Sequence, residues 1–202
     1  LKLAKKLVKY KIPVFADKPL AMDINEANEF FEIFEKNNVP VMSSSAFRFA
    51  NDLQKFKKII FDKDIIGGMF ICPVICKDLG DDPRLKNVVF YGIHMAEMIN
   101  ELLGSGFKIS QIEKNKSLEY LGIFENNSGV KIRFNFLQQT QDYYFISLYS
   151  KEDVFTFKLD LNTNYYEETL KYFIDYICGK NKGINKEDTL ESLSLMLQIN
   201  SK

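Results

Sequence analysis

The sequence of 202 residues has no tryptophan, one histidine and no excess of either charge, because 27 Lys and Arg balance 27 Asp and Glu. A balanced charge excludes the strongly basic surface with which proteins bind nucleic acid. No apolar run reaches the length of a membrane span, and no signal peptide is visible. We therefore expect a cytoplasmic protein that binds neither nucleic acid nor a membrane.

The three cysteines do not have the spacing of a metal site. Cys72 and Cys76 lie close together in an apolar run, and no second pair of Cys or His completes a zinc site. Reduced, packed cysteines are typical of cytoplasmic proteins. We therefore expect no metal.

Apolar and aromatic residues are plentiful. They make up 46% and 14% of the chain, with 18 Phe and 10 Tyr. This composition excludes global disorder and supplies a sizeable core, enough for one large domain or one and a half ordinary ones.

A strand–helix–strand unit is predicted near the start of the chain. Residues Ile12–Ala16 read as a buried strand that ends at Asp17–Pro19, and Val39–Met42 reads as the next strand. Between them, Asp23 and Glu26 have the spacing of a capping box at the start of a helix. Polar residues at the carboxyl end of the first strand stand where open α/β sheets bind ligands.

The only histidine, His94, lies in a segment that predicts a helix from about Gly92. Apolar residues then follow at helical spacing, and Gly104 ends the pattern. We expect His94 in the first turn, beside a loop of residues 77–86 that forms one wall of a cleft. The pKa of histidine suits it for proton transfer, although a lone histidine can equally be a hydrogen-bonded filler at a helix start.

Four segments in this order resemble the Gfo/Idh/MocA family of NAD(P)-dependent oxidoreductases, named after glucose–fructose oxidoreductase and inositol dehydrogenase. They are ADKPLA, the capped helix, VPVMSSSAFR and YGIHMAEMINELLG. The family's strand-end motif is Glu-Lys-Pro, and Asp17, Lys18 and Pro19 stand in its places. The resemblance implies an α/β plus α+β chain. It implies that residues 1–46 form the C-terminal part of a Rossmann-type domain. It also implies that residues 47–202 form a mostly antiparallel open β-sheet domain with helices on one face.

The resemblance also implies a reaction, in which a hydride passes between NAD or NADP and a sugar, polyol or related hydroxy compound. Lys18 could hold the substrate hydroxyl and stabilise the alkoxide, and a neutral His94 could take the proton. Tyr91 and Glu97 are further catalytic candidates. The candidates for cofactor binding are Asp17, Lys18, Pro19 and Arg48. Solvated or ion-paired structural roles remain the alternatives for Lys18 and Arg48.

One position departs from the family pattern. Many members have an aspartate four residues before the histidine, where this chain has Phe90, which carries no proton. Tyr91 is a poor base at neutral pH. Glu97 either orients the imidazole of His94 or is a solvated helix charge. The alternative function is therefore a non-catalytic relative that binds a nucleotide or sugar and acts as a sensor or assembly protein.

The glycine-rich turn G-x-G-x-x-G that binds dinucleotide phosphates is absent, and the chain begins with Leu1 inside an apparent helix. We expect a fragment that lacks the first half of its nucleotide-binding domain and is inactive by itself. The alternative is a complete protein that never had that half.

The second half of the chain predicts a sheet and two closing helices. Residues 65–68 read as a turn into the strand Met69–Cys76, and two hairpins follow at 118–136 and 142–159. Asn164 and Asn185 are predicted to cap the helices. Because both faces of the segment DYYFISLYS are apolar or aromatic, we expect a homodimer or homotetramer through the outer sheet face. A loop or helix of the same chain is the alternative cover.

Overall fold

The computed structural model describes residues 1–73, 87–114, 119–137 and 144–202. The helices are α1 (Lys2–Leu7), α2 (Ile24–Lys36), α3 (Asn51–Ile60), α4 (Val88–Leu103), α5 (Tyr165–Ile177) and α6 (Lys186–Asn200). The strands are β1 (Val14–Asp17), β2 (Val41–Ser44), β3 (Ile65–Pro73), β4 (Phe107–Lys114), β5 (Tyr120–Asn126), β6 (Lys131–Leu137), β7 (Phe145–Ser150) and β8 (Val154–Lys158). Short 3-10 turns occupy Val8–Tyr10 and Ala46–Phe49.

The predicted strand–helix–strand unit is confirmed. Strands β1 and β2 are parallel, with Asp17 opposite Ser44, and α2 forms the connection. The carboxylate of Asp23 accepts hydrogen bonds from the backbone N–H groups of Asn25 and Glu26, which caps α2. The unit places Lys18 directly after β1.

The larger sheet has six strands in the order β4-β5-β6-β3-β7-β8. Only β3 and β6 are parallel among its paired strands, so the predicted mostly antiparallel sheet is confirmed. One face carries fully buried side chains and packs against the helices α3, α4 and α6. The largest of these side chains are Phe70, Phe124, Phe134, Phe136, Ile132 and Ile146.

The predicted turn at residues 65–68 is wrong, because Gly67 and Gly68 lie within β3. A Cβ atom on Gly68 would lie 2.6 Å from the carbonyl oxygen of Ser147. The glycine therefore permits close strand packing and does not mark a turn.

Strand β4 was not predicted. Its pairing with β5 shifts register between Ile109 and Gln111, as at a β-bulge. The extra residue interrupts the alternation of apolar and polar residues that marks a strand in the sequence.

The outer face of the large sheet is half exposed. Leu121, Tyr149 and Val154 have exposed fractions of 46%, 37% and 58%, and no described helix or loop buries them. Within the described ranges, therefore, no helix or loop of the same chain covers these three side chains.

The two closing helices begin differently. Asn185 accepts a hydrogen bond from the N–H of Asp188 and caps α6 as predicted. Asn164 occupies the N-cap position of α5 as predicted, but its side chain donates to the carboxylate of Glu167 and accepts no bond from a backbone N–H group.

The predicted boundary between residues 46 and 47 stays a prediction. Cys76, the predicted loop of residues 77–86 and Tyr143 lie outside the described residues. No helix in the described ranges has both the length and the apolar character that crossing a membrane requires.

Candidate active site

Lys18 lies where β1 ends and reaches helix α4. Its peptide bond to Pro19 is cis. The Lys18 amine donates a hydrogen bond to the carbonyl oxygen of Phe90 at 2.9 Å. The same nitrogen lies 3.9 Å from the centre of the Phe90 ring, so a cation–π contact adds to the bond. Residue 90 precedes His94 by one helical turn, and the amine is near enough for its positive charge to act on the histidine.

The position of Phe90 therefore has a defined role in this chain. Where the family pattern has a carboxylate, the lysine here is held by a backbone carbonyl and an aromatic face. Tyr91 is buried, and its ring packs edge-on against that of Phe90. The Lys18 amine lies 5.8 Å from the Tyr91 ring centre, which places Tyr91 at the margin of the site.

His94 lies deeper than the sequence predicted. Helix α4 begins at Val88, where Asn87 caps it, so His94 is more than one turn into the helix. Its ring stacks on Phe47 at 4.2 Å and meets Tyr144 edge-on at 5.8 Å. The Nδ1 atom lies 2.5 Å from the hydroxyl oxygen of Ser45. The ring is thus fixed on two sides by aromatic groups and at one nitrogen by a hydrogen bond.

The charge state of His94 follows from these surroundings. Burial, and next the positive charge of Lys18, hold the pKa of His94 well below its usual value of 6.5. Both effects disfavour the imidazolium form. His94 is therefore neutral at neutral pH.

Glu97 takes neither of its two predicted roles. It is 2% exposed, so it is not a solvated helix charge. Its carboxylate accepts hydrogen bonds from the Ser44 hydroxyl at 2.6 Å and the Ser45 N–H at 2.7 Å, and it bonds no atom of His94. Glu97 thus fixes the backbone of the residue that contacts His94.

Arg48 is part of a buried ion-pair network. It is 2% exposed, and it pairs with Glu97 through Nε and with Glu101 through Nη1. Glu101 also pairs with Lys57 at 2.6 Å. These contacts favour an ion-paired structural role for Arg48, and its binding of the cofactor stays a prediction. Of the other strand-end residues, Asp17 is exposed and Pro19 is partly buried.

A cavity of about 670 Å³ opens beside Arg48 and Glu101, near the C-terminal end of α4. Its lining includes neither Lys18 nor His94. Within the described ranges, no cluster of three His, Cys, Asp or Glu side chains could hold a metal ion. The chemistry at residues 18 and 94 is thus separate from this cavity.

The sequence could not reveal two members of the site. Ser44 is the last residue of β2 and Ser45 follows it, within a run of serines, and both contact α4 residues that are distant along the chain. The only local signal is that polar residues follow a strand.

No protein-family model and no curated protein matches the sequence. Solved structures do match over nearly the whole chain. GenD2 from gentamicin A biosynthesis, in complex with NAD, is 10% identical, with 99% of this chain and 71% of that chain covered and a TM-score of 0.81. D-galactose-1-dehydrogenase from Rhizobium etli is 12% identical, with 98% and 72% covered and a TM-score of 0.79. The dehydrogenase MviM from Clostridium difficile is 17% identical, with 100% and 75% covered and a TM-score of 0.76.

At such low identity the likeness concerns the fold. The chain has the fold of Gfo/Idh/MocA-type dehydrogenases, as the sequence resemblance predicted.

Proposed function

We propose that the protein is an NAD(P)-dependent dehydrogenase that transfers a hydride between the nicotinamide and a sugar, polyol or related hydroxy compound. One observation carries the proposal. The amine of Lys18, at the carboxyl end of β1, bonds the carbonyl of Phe90 one turn before a buried, neutral His94. A cationic group at a strand end and an imidazole on the helix that it contacts suit a reaction on a carbon that bears oxygen.

The strand-end residues fit the nicotinamide end of NAD or NADP. Asp17 is exposed and Pro19 partly buried, so both remain accessible beside Lys18. The phosphate-binding glycine turn is not in the sequence, and we assign the phosphates to no residue of this chain. When bound, the cofactor accepts or supplies the hydride. GenD2, which shares the fold, is described in complex with NAD, and this supports the assignment.

The residues of the chain act on the substrate oxygen. The positive charge of Lys18 stabilises negative charge that develops on that oxygen. A buried site strengthens this effect, because a lower dielectric weakens screening. The ring of His94 is held by Phe47 and by Ser45, which contacts Nδ1, so the side of the ring that carries Nε2 has a fixed direction. A hydrogen-bonding group that is held in this way positions the substrate.

Phe90 supports a second candidate function. The position lacks the carboxylate that shares proton transfer in many relatives, so the site has fewer acid–base groups. A non-catalytic protein that binds a nucleotide or sugar, as a sensor or assembly partner, would keep the fold with such a site.

Binding and turnover measurements separate the two functions. The natural protein that contains this chain is titrated with NADH and NADPH by nicotinamide fluorescence, and then screened with sugars and polyols at the absorbance of the reduced cofactor. For a dehydrogenase, Lys18→Ala and His94→Ala both lose turnover, and cofactor binding persists in His94→Ala. Lys58→Ala changes an exposed lysine of α3 and serves as the control. Cofactor or sugar binding without any turnover supports the non-catalytic function, and absence of binding contradicts both.

We also propose that two copies associate through the outer face of the large sheet, as a homodimer or within a homotetramer. Leu121, Tyr149 and Val154 expose apolar surface on that face. Sedimentation velocity of the double variant Leu121→Lys with Tyr149→Lys should show monomers if the wild type is a homodimer, and dimers if it is a homotetramer. Ile59→Lys, on the exposed side of α3, should leave the assembly unchanged. A monomeric wild-type protein contradicts this proposal.

A further inference from the structure

Ser45 is the hydrogen-bond partner of the only histidine in the sequence. It is fully buried, and its hydroxyl oxygen lies 2.5 Å from Nδ1 of His94. No other hydrogen bond of the His94 ring is made with a described residue. The direction of this one bond therefore decides which ring nitrogen carries the proton.

The other contacts of Ser45 fix that direction. Its hydroxyl oxygen already accepts a hydrogen bond from the N–H of Phe47 at 3.1 Å. The hydroxyl proton needs an acceptor of its own, because a buried donor without a partner is costly. Nδ1 of His94 is the acceptor within reach among the described residues. The opposite direction would leave the hydroxyl proton buried and unbonded.

The position of Ser45 is itself held firmly. Its backbone N–H donates to the carboxylate of Glu97 at 2.7 Å, and that carboxylate also accepts from Ser44. Arg48 pairs with the same carboxylate. The ring of His94 is stacked on Phe47, which follows Ser45 in the same turn. Hydroxyl and ring are thus aligned by one rigid segment.

We propose that Ser45 is a positioning residue that holds His94 in the neutral tautomer with its proton on Nε2. In this form Nδ1 accepts from Ser45, and Nε2 offers a donor. Such a donor stabilises negative charge on a substrate oxygen, but it has no lone pair with which to take a proton. This consequence rests on the proposed function and changes the role of His94 from base to hydrogen-bond donor. The tautomer itself depends only on contacts within the chain.

The single histidine makes a direct test possible. In protein labelled with ¹⁵N-histidine, a long-range ¹H–¹⁵N correlation spectrum shows one imidazole and distinguishes its protonated from its unprotonated nitrogen. At neutral pH we expect an unprotonated Nδ1 and a protonated Nε2. Ser45→Ala should lower the ratio of the Nε2–H to the Nδ1–H tautomer about 10-fold, since the buried bond is lost. Ser45→Thr keeps a hydroxyl and should retain the wild-type pattern.

Ser44→Ala is the matched control. Ser44 is an equally buried serine that bonds Glu97 and not His94, so its loss should leave the tautomer unchanged. A protonated Nδ1 in the wild type overturns the proposal, as does an unchanged ratio in a folded Ser45→Ala variant. If Ser45→Ala does not fold, the wild-type spectrum still tests the proposal, because it shows which ring nitrogen of His94 carries the proton. The spectrum needs neither cofactor nor turnover, so its outcome is independent of the proposed enzyme activity.

Discussion

Lys18 and Phe90 are in contact although they are far apart in sequence. The amine donates to the carbonyl oxygen of residue 90 at 2.9 Å and lies 3.9 Å from the centre of its ring. The contact joins the end of β1 to the first turn of α4, and so connects the small sheet to the helix that carries His94.

This contact predicts a measurable coupling. In a double-mutant cycle of Lys18→Met and Phe90→Leu, we expect a coupling of about 0.5–1 kcal/mol in the free energy of unfolding. Phe90→Leu keeps the backbone carbonyl, so the cycle isolates the ring. Urea denaturation provides the measurement, and strictly additive effects would show that the ring contributes nothing.

The buried carboxylate of Glu97 predicts a large loss of stability. Glu97→Gln removes a charge that faces Arg48 and two serine donors, and it should cost about 3 kcal/mol. Glu32→Gln is the control, because Glu32 forms an exposed pair with Lys36 and should leave the urea midpoint unchanged. Equal effects of the two substitutions would contradict the buried network.

The depressed pKa of His94 predicts a dependence of stability on pH. Burial and Lys18 lower the pKa in the folded state, so as pH falls below 6.5 the unfolded chain binds a proton that the folded chain does not. The contribution of His94 to the free energy of unfolding is fully present above pH 6.5. It falls by about 1.4 kcal/mol per pH unit below pH 6.5, until the pKa of His94 in the folded state is reached. Urea unfolding of His94→Asn at the same pH values gives the reference. If the two proteins have parallel pH profiles, the pKa of His94 is not depressed.

Two glycines are predicted to respond differently to alanine. A Cβ at Gly68 meets the backbone oxygen of Ser147 at 2.6 Å, and that oxygen cannot move without breaking the ladder. A Cβ at Gly92 comes within 2.6 Å of the sulfur of the flexible Met196 side chain and 3.0 Å of the Phe136 ring, but it meets no backbone atom, and alanine also favours the helix. Gly68→Ala should cost about 1–3 kcal/mol and Gly92→Ala less. Thermal unfolding of the two variants gives the order, and the reverse order would refute this explanation.

Local patterns predicted much of the fold. The cap at Asp23 and the period-two strands depend on neighbours in sequence, and α2, β6 and β7 lie close to where these patterns place them. The start of α4 was missed because Val88 and Val89 extend the apolar run, and only Asn87 marks the true boundary. Strand β4 was missed because its bulge breaks the alternation.

The site was predicted only in part. The resemblance to a family directed attention to Lys18 and His94, and the structure places the Lys18 amine on the carbonyl of Phe90, one helical turn before His94. The partners of Glu97 could not be predicted, because Ser44, Ser45 and Arg48 meet it only when β2 and α4 pack together. The same holds for the bond between Ser45 and His94. No local pattern in the sequence reports a contact of this kind.

Strand β3 is hydrogen-bonded to both halves of the large sheet, to β6 on one edge and β7 on the other. Each half can form hairpins from neighbouring residues, whereas β3 needs partners made much later, such as Lys131 for Gly67 and Leu148 for Gly68. During synthesis β3 is therefore the first strand of the large sheet to leave the ribosome, and both of its edges stay unpaired and Phe70 stays exposed until the later strands follow. This interval is when the nascent chain is most exposed to aggregation and most in need of a chaperone.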